Sequence, residues 1–246
     1  FTLTGIPFLV LLVLGLRILS SNIKQFSKIT AITLLVVWFM ALLTIIFTAV
    51  EFGASHANYG KSISNNPLDI VQKDTLVLKM INNDVLYYQE NLKRSARKHE
   101  VAIDDKLMLY TNNIRLDVKK SSTENAYFII QKESYGRSRI KANKNAKKIK
   151  YKYTITDNEI VFDAFFLSDL KNIFKDEEID ITVFIPENAT IYFDSSIKNF
   201  LSDVKNKANI YDKEMINHHF KMTSTVLKCT DCIEEIKEEE KEQAII

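Results

Sequence analysis

Two long runs without a charged residue limit what this chain can become. From Phe1 to Leu16 no side chain carries a charge, and Arg17, Ile18 and Leu19 extend the apolar stretch to about the 20 residues that cross a hydrocarbon core of about 30 Å. From Ile29 to Val50 there is again no charge. A buried helix of a water-soluble core rarely runs that far uncharged, and two such runs in tandem point to membrane insertion. Pro7 lies in the first turns of the first run, where a missing backbone donor costs least. A cleaved secretory signal would explain that run, but no basic n-region and no Met precede it, so the chain is expected to continue upstream of Phe1.

Arg17, Lys24 and Lys28 are the charged groups of the first fifty residues, and all 31 Asp and Glu lie beyond them. The whole-chain averages of 46% hydrophobic and 26% charged residues, with net charge +2, conceal that division. Arg17 can snorkel to the interface. The loop between the runs, roughly residues 20–28, carries Lys24 and Lys28 and is flanked by Arg17, and the positive-inside rule places it in the cytoplasm. The first helix then runs inward and the second outward, and everything after Val50 is expected outside the cytoplasm. The expected division is a two-helix transmembrane hairpin at 1–50, a juxtamembrane linker at 51–74, a β-rich domain at 75–232 and an acidic tail at 233–246.

Residues 51–69 carry Gly53, Gly60, several Ser and Asn, and Pro67, with little periodicity, which reads as linker. Beyond Thr75, alternating or short apolar runs predict strands at 76–80, 107–110, 114–118 and 126–130. Between Gly136 and Ile149 the spacing changes: Ala142, Ala146 and Ile149 recur at helical intervals, with Arg137, Lys141, Lys144 and Lys148 on another side. Strands are predicted again at 150–155 and 159–166, joined by a turn through Asp157 and Asn158, at 179–185 before Pro186, and at 190–193. A helical turn is expected over 197–204. The fold class is therefore an integral membrane protein: two N-terminal transmembrane α-helices and a β-rich (α+β) extracytoplasmic domain. A sandwich, an open sheet or a short β-solenoid all suit this order of strands.

The basic stretch from Arg137 to Lys152 would suggest nucleic acid in another setting. Outside the cytoplasm no nucleic-acid partner is expected, and the cations read first as a solvated helix face. Arg137, Lys141, Lys144 and Lys148 are the candidates for contact with lipid headgroups or an acidic partner. Cys229 and Cys232 have the spacing of redox and zinc half-sites. A local disulfide is the first reading, suited to an oxidising compartment; free thiols come second, and a metal site third. His218 and His219 are possible further ligands, although adjacent residues of a strand point apart.

No Gly-rich phosphate loop, nucleophile elbow or zinc-protease helix occurs. Asp104, Asp105, Glu177 and Glu178 read as surface charge. Asn188-Ala189-Thr190 fits the glycosylation pattern, and a strand-edge turn explains it equally. No catalytic residue, cofactor or bound metal is expected.

The order of features also resembles a known family. Gly5-Ile6-Pro7-Phe8 through Gly15-Leu16-Arg17, and a second span with Trp38 near its middle, are similar to the C-terminal half of bacterial membrane proteins that carry a phage shock protein C domain. The resemblance continues through Ile114-Arg115-Leu116-Asp117, Gly136-Arg137-Ser138, Ile149-Lys150-Tyr151 and Ile181-Thr182-Val183-Phe184-Ile185-Pro186. It ends on Met222-Thr223 and Leu227-Lys228-Cys229-Thr230-Asp231-Cys232. The chain departs from the pattern at Val226, where a glycine is expected, and the phage shock domain itself would lie upstream. The resemblance implies a non-enzymatic envelope-stress or regulatory protein of the bacterial inner membrane. Its periplasmic domain would bind other envelope proteins, with membrane lipids around its helices. The alternative is a structural or docking subunit of a secretion or motility complex.

Overall fold

The computed structural model describes residues 28–68, 75–81, 98–103, 106–172 and 175–232. The chain divides into two compact units, Phe1–Ala57 and Asn58–Ile246.

The described part of the first unit is one helix, α1 (Lys28–His56), 29 residues long. At 1.5 Å per residue it extends about 43 Å, more than a hydrocarbon core of about 30 Å requires. Its apolar side chains, among them Leu35, Phe39, Ile46 and Phe47, are exposed around the helix instead of packed into a core. Such a surface is stable in lipid and not in water. Three threonine hydroxyls are satisfied within the helix: Thr33, Thr44 and Thr48 each donate to the carbonyl four residues earlier, at 2.9, 2.9 and 2.8 Å. The stretch Leu35–His56 is long and apolar enough to span a membrane. The first expected span, at 1–19, lies outside the described residues.

The expected linker is where the structure departs most from the sequence reading. Glu51–His56 continues the helix, and Asn58–Leu68 forms an 11-residue strand, β1. This strand shows little apolar alternation because one of its faces meets a helix backbone and the other is exposed. Burial therefore falls mainly on Gly60 and Leu68.

Among the described residues the second unit holds three open sheets. The first has the order β1, β6 (Ala126–Gly136), β10 (Glu178–Ile185), β5 (Ile114–Lys120). β6 is antiparallel to β1 and β10, and β10 is parallel to β5, with Ile181 opposite Leu116. The second sheet runs β13 (Leu227–Cys229), β12 (His219–Met222), β11 (Thr190–Phe193), β2 (Thr75–Ile81), β8 (Glu159–Asp163), β7 (Tyr153–Thr156). A small third sheet joins β3 (Lys98–Ile103), β4 (Lys106–Thr111) and β9 (Phe166–Ser168). Strands β1, β3, β9, β12 and β13 escape the sequence reading because they are short or carry polar residues on both faces.

The inward positions of the two larger sheets meet in one hydrophobic cluster. Ile114, Leu116 and Val118 of β5 and Ile179, Ile181, Val183 and Ile185 of β10 face Leu76, Leu78, Ile160, Phe162, Ile191 and Phe193 across it. Phe128 lies edge-on to Phe162 at 5.4 Å and to Tyr153 at 5.0 Å, the arrangement aromatic rings prefer. A smaller cluster under the third sheet is built on Val101, Met108, Tyr110 and Phe165, with the Tyr110 and Phe165 rings stacked at 4.8 Å.

Helix α2 (Arg139–Lys148) follows β6 and packs on β1 and β6 through Ala142 and Ala146. Ser138 caps its N-terminus, and Lys132 donates to the Ile149 carbonyl at 2.8 Å beyond its C-terminus. Asn143 Oδ1 accepts from Lys61 N at 2.9 Å, and Asn145 Nδ2 donates to Tyr135 O at 2.9 Å. The helix is thus tied to both strands.

Candidate functional sites

Two surfaces of the second unit bring polar side chains together. The first is built at the end of the β12–β13 hairpin. A turn over 223–226, closed by Thr223 N to Val226 O at 3.0 Å, sets Phe220 opposite Cys229. Val226 stands there without a positive φ, so the hairpin does not need the expected glycine. Asn217 adopts a left-handed conformation (φ 63°) just before the strand. His218 therefore lies outside the alternation of β12, which begins at His219.

Strand geometry is expected to point the two histidines apart; instead both rings reach one carboxylate. His218 Nδ1 lies 3.3 Å from Asp231 Oδ1, and His219 Nδ1 lies 2.6 Å from Asp231 Oδ2. His219 N donates to Asp231 Oδ1 at 2.9 Å, Thr230 N donates to His219 O at 2.9 Å, and Tyr192 packs its ring 4.8 Å from that of His219. Burial opposes ionisation of Asp231, but the hydrogen bonds from His219 and His218 outweigh it and hold the carboxyl below its usual value. Cys229 and Cys232 are joined in a disulfide, with Cα atoms 5.7 Å apart. The amide of Cys232 donates to Cys229 Sγ at 3.0 Å. Asp231 was not singled out in the sequence; the signal available there was its place inside the Cys-x-x-Cys.

The second surface is the outer face of the four-stranded sheet. A groove of about 540 Å³ runs over it, lined by Ile63, Ile129, Phe184, Arg115, Asp117, Lys119, Gln131 and Asp180, with Asp203 and Lys205 at one side. Arg115 binds Asp180 through Nε at 2.7 Å and Nη2 at 3.2 Å, and also reaches Glu178 at 2.8 Å. Lys119 pairs with Asp117 at 2.9 Å. Tyr127 stacks on Phe184 at 4.6 Å, while Ile63 remains 53% exposed. Burial pushes the carboxyls of Asp117 and Glu178 up despite the cations beside them.

The structure places the remaining candidates separately. Arg137, Lys141, Lys144 and Lys148 are all exposed on or just before α2. Glu177, expected as surface charge, is fully buried, and its Oε1 accepts from Ser134 at 3.1 Å and Asn172 at 2.7 Å. Asp104 and Asp105 lie outside the described residues. Asn188 occupies the turn between β10 and β11 with φ 71°.

The sequence decides the family. Residues 102–235 match the model of the toast-rack domain found in some PspC proteins, and residues 1–56 match the PspC transmembrane region. The chain belongs to the PspC-related membrane proteins with a toast-rack domain. No curated protein and no solved structure matches it. The boundary at Ala57 between the two units falls one residue after the transmembrane match ends. This PspC-related chain is accordingly a membrane protein with an N-terminal spanning helix and a β-rich C-terminal domain, features that fit an envelope-stress membrane protein.

Proposed function

We propose that this chain is a non-enzymatic, membrane-anchored regulator of the envelope-stress response, held by a two-helix hairpin in the bacterial inner membrane. Its β domain lies in the periplasm, and the two large sheets around one core favour a sandwich over a solenoid. The orientation rests on Lys24 and Lys28 in the loop between the apolar runs and on Arg17 flanking it. The partner is another envelope protein, bound at the outer face of the four-stranded sheet. The groove over that face carries the proposal: an exposed apolar residue, Ile63, sits in it beside prearranged ion pairs, the mixture found where protein surfaces meet. Asp117 and Glu178, whose ionisation burial opposes, lie on the same face. Arg137, Lys141, Lys144 and Lys148 are assigned to anionic lipid headgroups.

The test is capture of the intact chain in mild detergent from stressed and unstressed cells, with wild type and Ile63→Glu. A co-purifying envelope protein whose amount changes with stress, and which the folded variant loses, is the expected result. Equal capture by the variant removes the groove from the reading. A partner held in fixed stoichiometry without stress makes the chain a structural docking subunit. An extracytoplasmic reporter fused after Ile246 is expected to be active, and activity of a cytoplasm-only reporter there reverses the orientation.

A further inference from the structure

Four donor atoms meet at the end of the β12–β13 hairpin: one ligand atom each from His218, Cys229, Asp231 and Cys232, all within 4.8 Å of one another. We propose that, once the disulfide is reduced, these four side chains bind a single zinc ion. The proposal does not depend on the partner reading above.

The donor set is two thiolates, an imidazole and a carboxylate, the types zinc takes in tetrahedral sites. With zinc bonds of about 2.0 to 2.3 Å, tetrahedral donors stand about 3.3 to 3.8 Å apart. The widest pair therefore has to close by about 1 Å, while the two sulfurs, bonded in the oxidised chain, have to part to about 3.8 Å, both movements being within reach of side-chain rotation. Bonds other than the disulfide hold the carboxylate, the imidazole and one sulfur of the set. Asp231 is held by His219 through both the backbone amide and the ring, at 2.9 and 2.6 Å, and His218 Nδ1 stands 3.3 Å from the same carboxylate. His218 contributes a ring nitrogen to the four-atom cluster and is assigned as a ligand, whereas His219 stands outside it and is a positioning residue, an imidazole holding a ligating carboxylate from behind. The amide of Cys232, 3.0 Å from Cys229 Sγ, supplies a donor that strengthens when the sulfur becomes an anion. His218 and Asp231 keep side-chain exposures of 36% and 40%, so an ion can enter from solvent.

The disulfide acts as the switch. A dithiol reductant breaks the S–S bond by exchange, delivering two electrons and two protons to give two thiols while its own sulfurs close into a disulfide. Zinc then displaces both thiol protons to solvent and binds the two thiolates. In the oxidised chain neither sulfur carries the charge that zinc requires, so binding reports the redox state.

The experiment uses the full chain in detergent, oxidised or reduced with a phosphine that is then removed without oxygen, and equilibrated with zinc or with cobalt(II) as a spectroscopic probe. One zinc per reduced chain and none per oxidised chain is expected. Cobalt should show a tetrahedral visible spectrum and a thiolate charge-transfer band. Cys229→Ser and Cys232→Ser should abolish stoichiometric binding, His218→Ala and Asp231→Ala should weaken it at least ~10-fold, and His219→Ala should weaken it by roughly 10–100-fold with the tetrahedral spectrum retained. Circular dichroism confirms that each variant is folded. Four results overturn the site: a folded, reduced chain that binds no zinc, equal binding by the oxidised chain, one ion shared between two chains, or unchanged affinity in both His218→Ala and Asp231→Ala.

Discussion

Gly60 and Gly136 show how a single absent methyl group sets the position of an element. A Cβ on Gly60 would stand 2.5 Å from the Ala142 backbone carbonyl carbon and against the Asn143 amide, and one on Gly136 would stand 2.7 Å from the Ala142 amide. In both cases backbone, not a flexible side chain, would have to yield. Gly60→Ala is therefore expected to lower stability by about 1–3 kcal/mol, as overpacking does, and Gly136→Ala by less; urea unfolding of the two variants checks the order. Asp117 makes a pH-dependent prediction. Burial raises its folded value above that of the unfolded chain, with Lys119 and the Val118 amide offsetting part of the effect. The ionised carboxylate thus disfavours folding near neutral pH, and this penalty disappears as pH falls through the folded value. Asp117→Asn should raise the urea midpoint near neutral pH and leave it close to wild type in acid. An equal gain at both removes this account.

Helix α2 was readable because Ala142, Ala146 and Ile149 recur at helical spacing among cations, whereas its N-cap at Ser138 emerged only in the structure. The Ser138 side chain accepts from Lys141 N at 3.3 Å, so Ser138→Ala is expected to destabilise the domain by about 1 kcal/mol, measured by thermal unfolding. Strand β1 was not readable. Of its eleven residues, the buried ones are Gly60 and Leu68, and no two-residue alternation of apolar side chains survives. Pro67 is tolerated because β1 is an edge strand and Lys61, six residues earlier on the same side, turns its amide away from β6 to Asn143.

The molecule joins two units made for different solvents. α1 exposes apolar side chains around its length, whereas the second unit encloses Phe128, Phe162, Phe166, Phe193 and Phe220 in a core drawn from its own strands. The β domain should therefore fold without its anchor: residues 58–246 expressed alone are expected to be soluble without detergent and to unfold cooperatively. Aggregation of that fragment, rescued only by restoring α1, would show that the core is incomplete without the helix.

Hydropathy and alternation determined the apolar anchor, the β-rich class and eight of the strands in outline, because each depends on residues near one another in sequence. The Cys-x-x-Cys was equally visible, and so was the nearby histidine pair. Only the tertiary structure decided the rest. β1 is a strand because β6 and α2 give it partners, Glu177 is buried where Ser134 reaches it from β6, 43 residues away, and the groove exists because β1, β6, β10 and β5 lie in that order. Asp231 gathers both histidines because Asn217 turns the chain before β12 and the hairpin returns it twelve residues later. These are contacts between residues far apart along the chain, and local patterns carry no record of them.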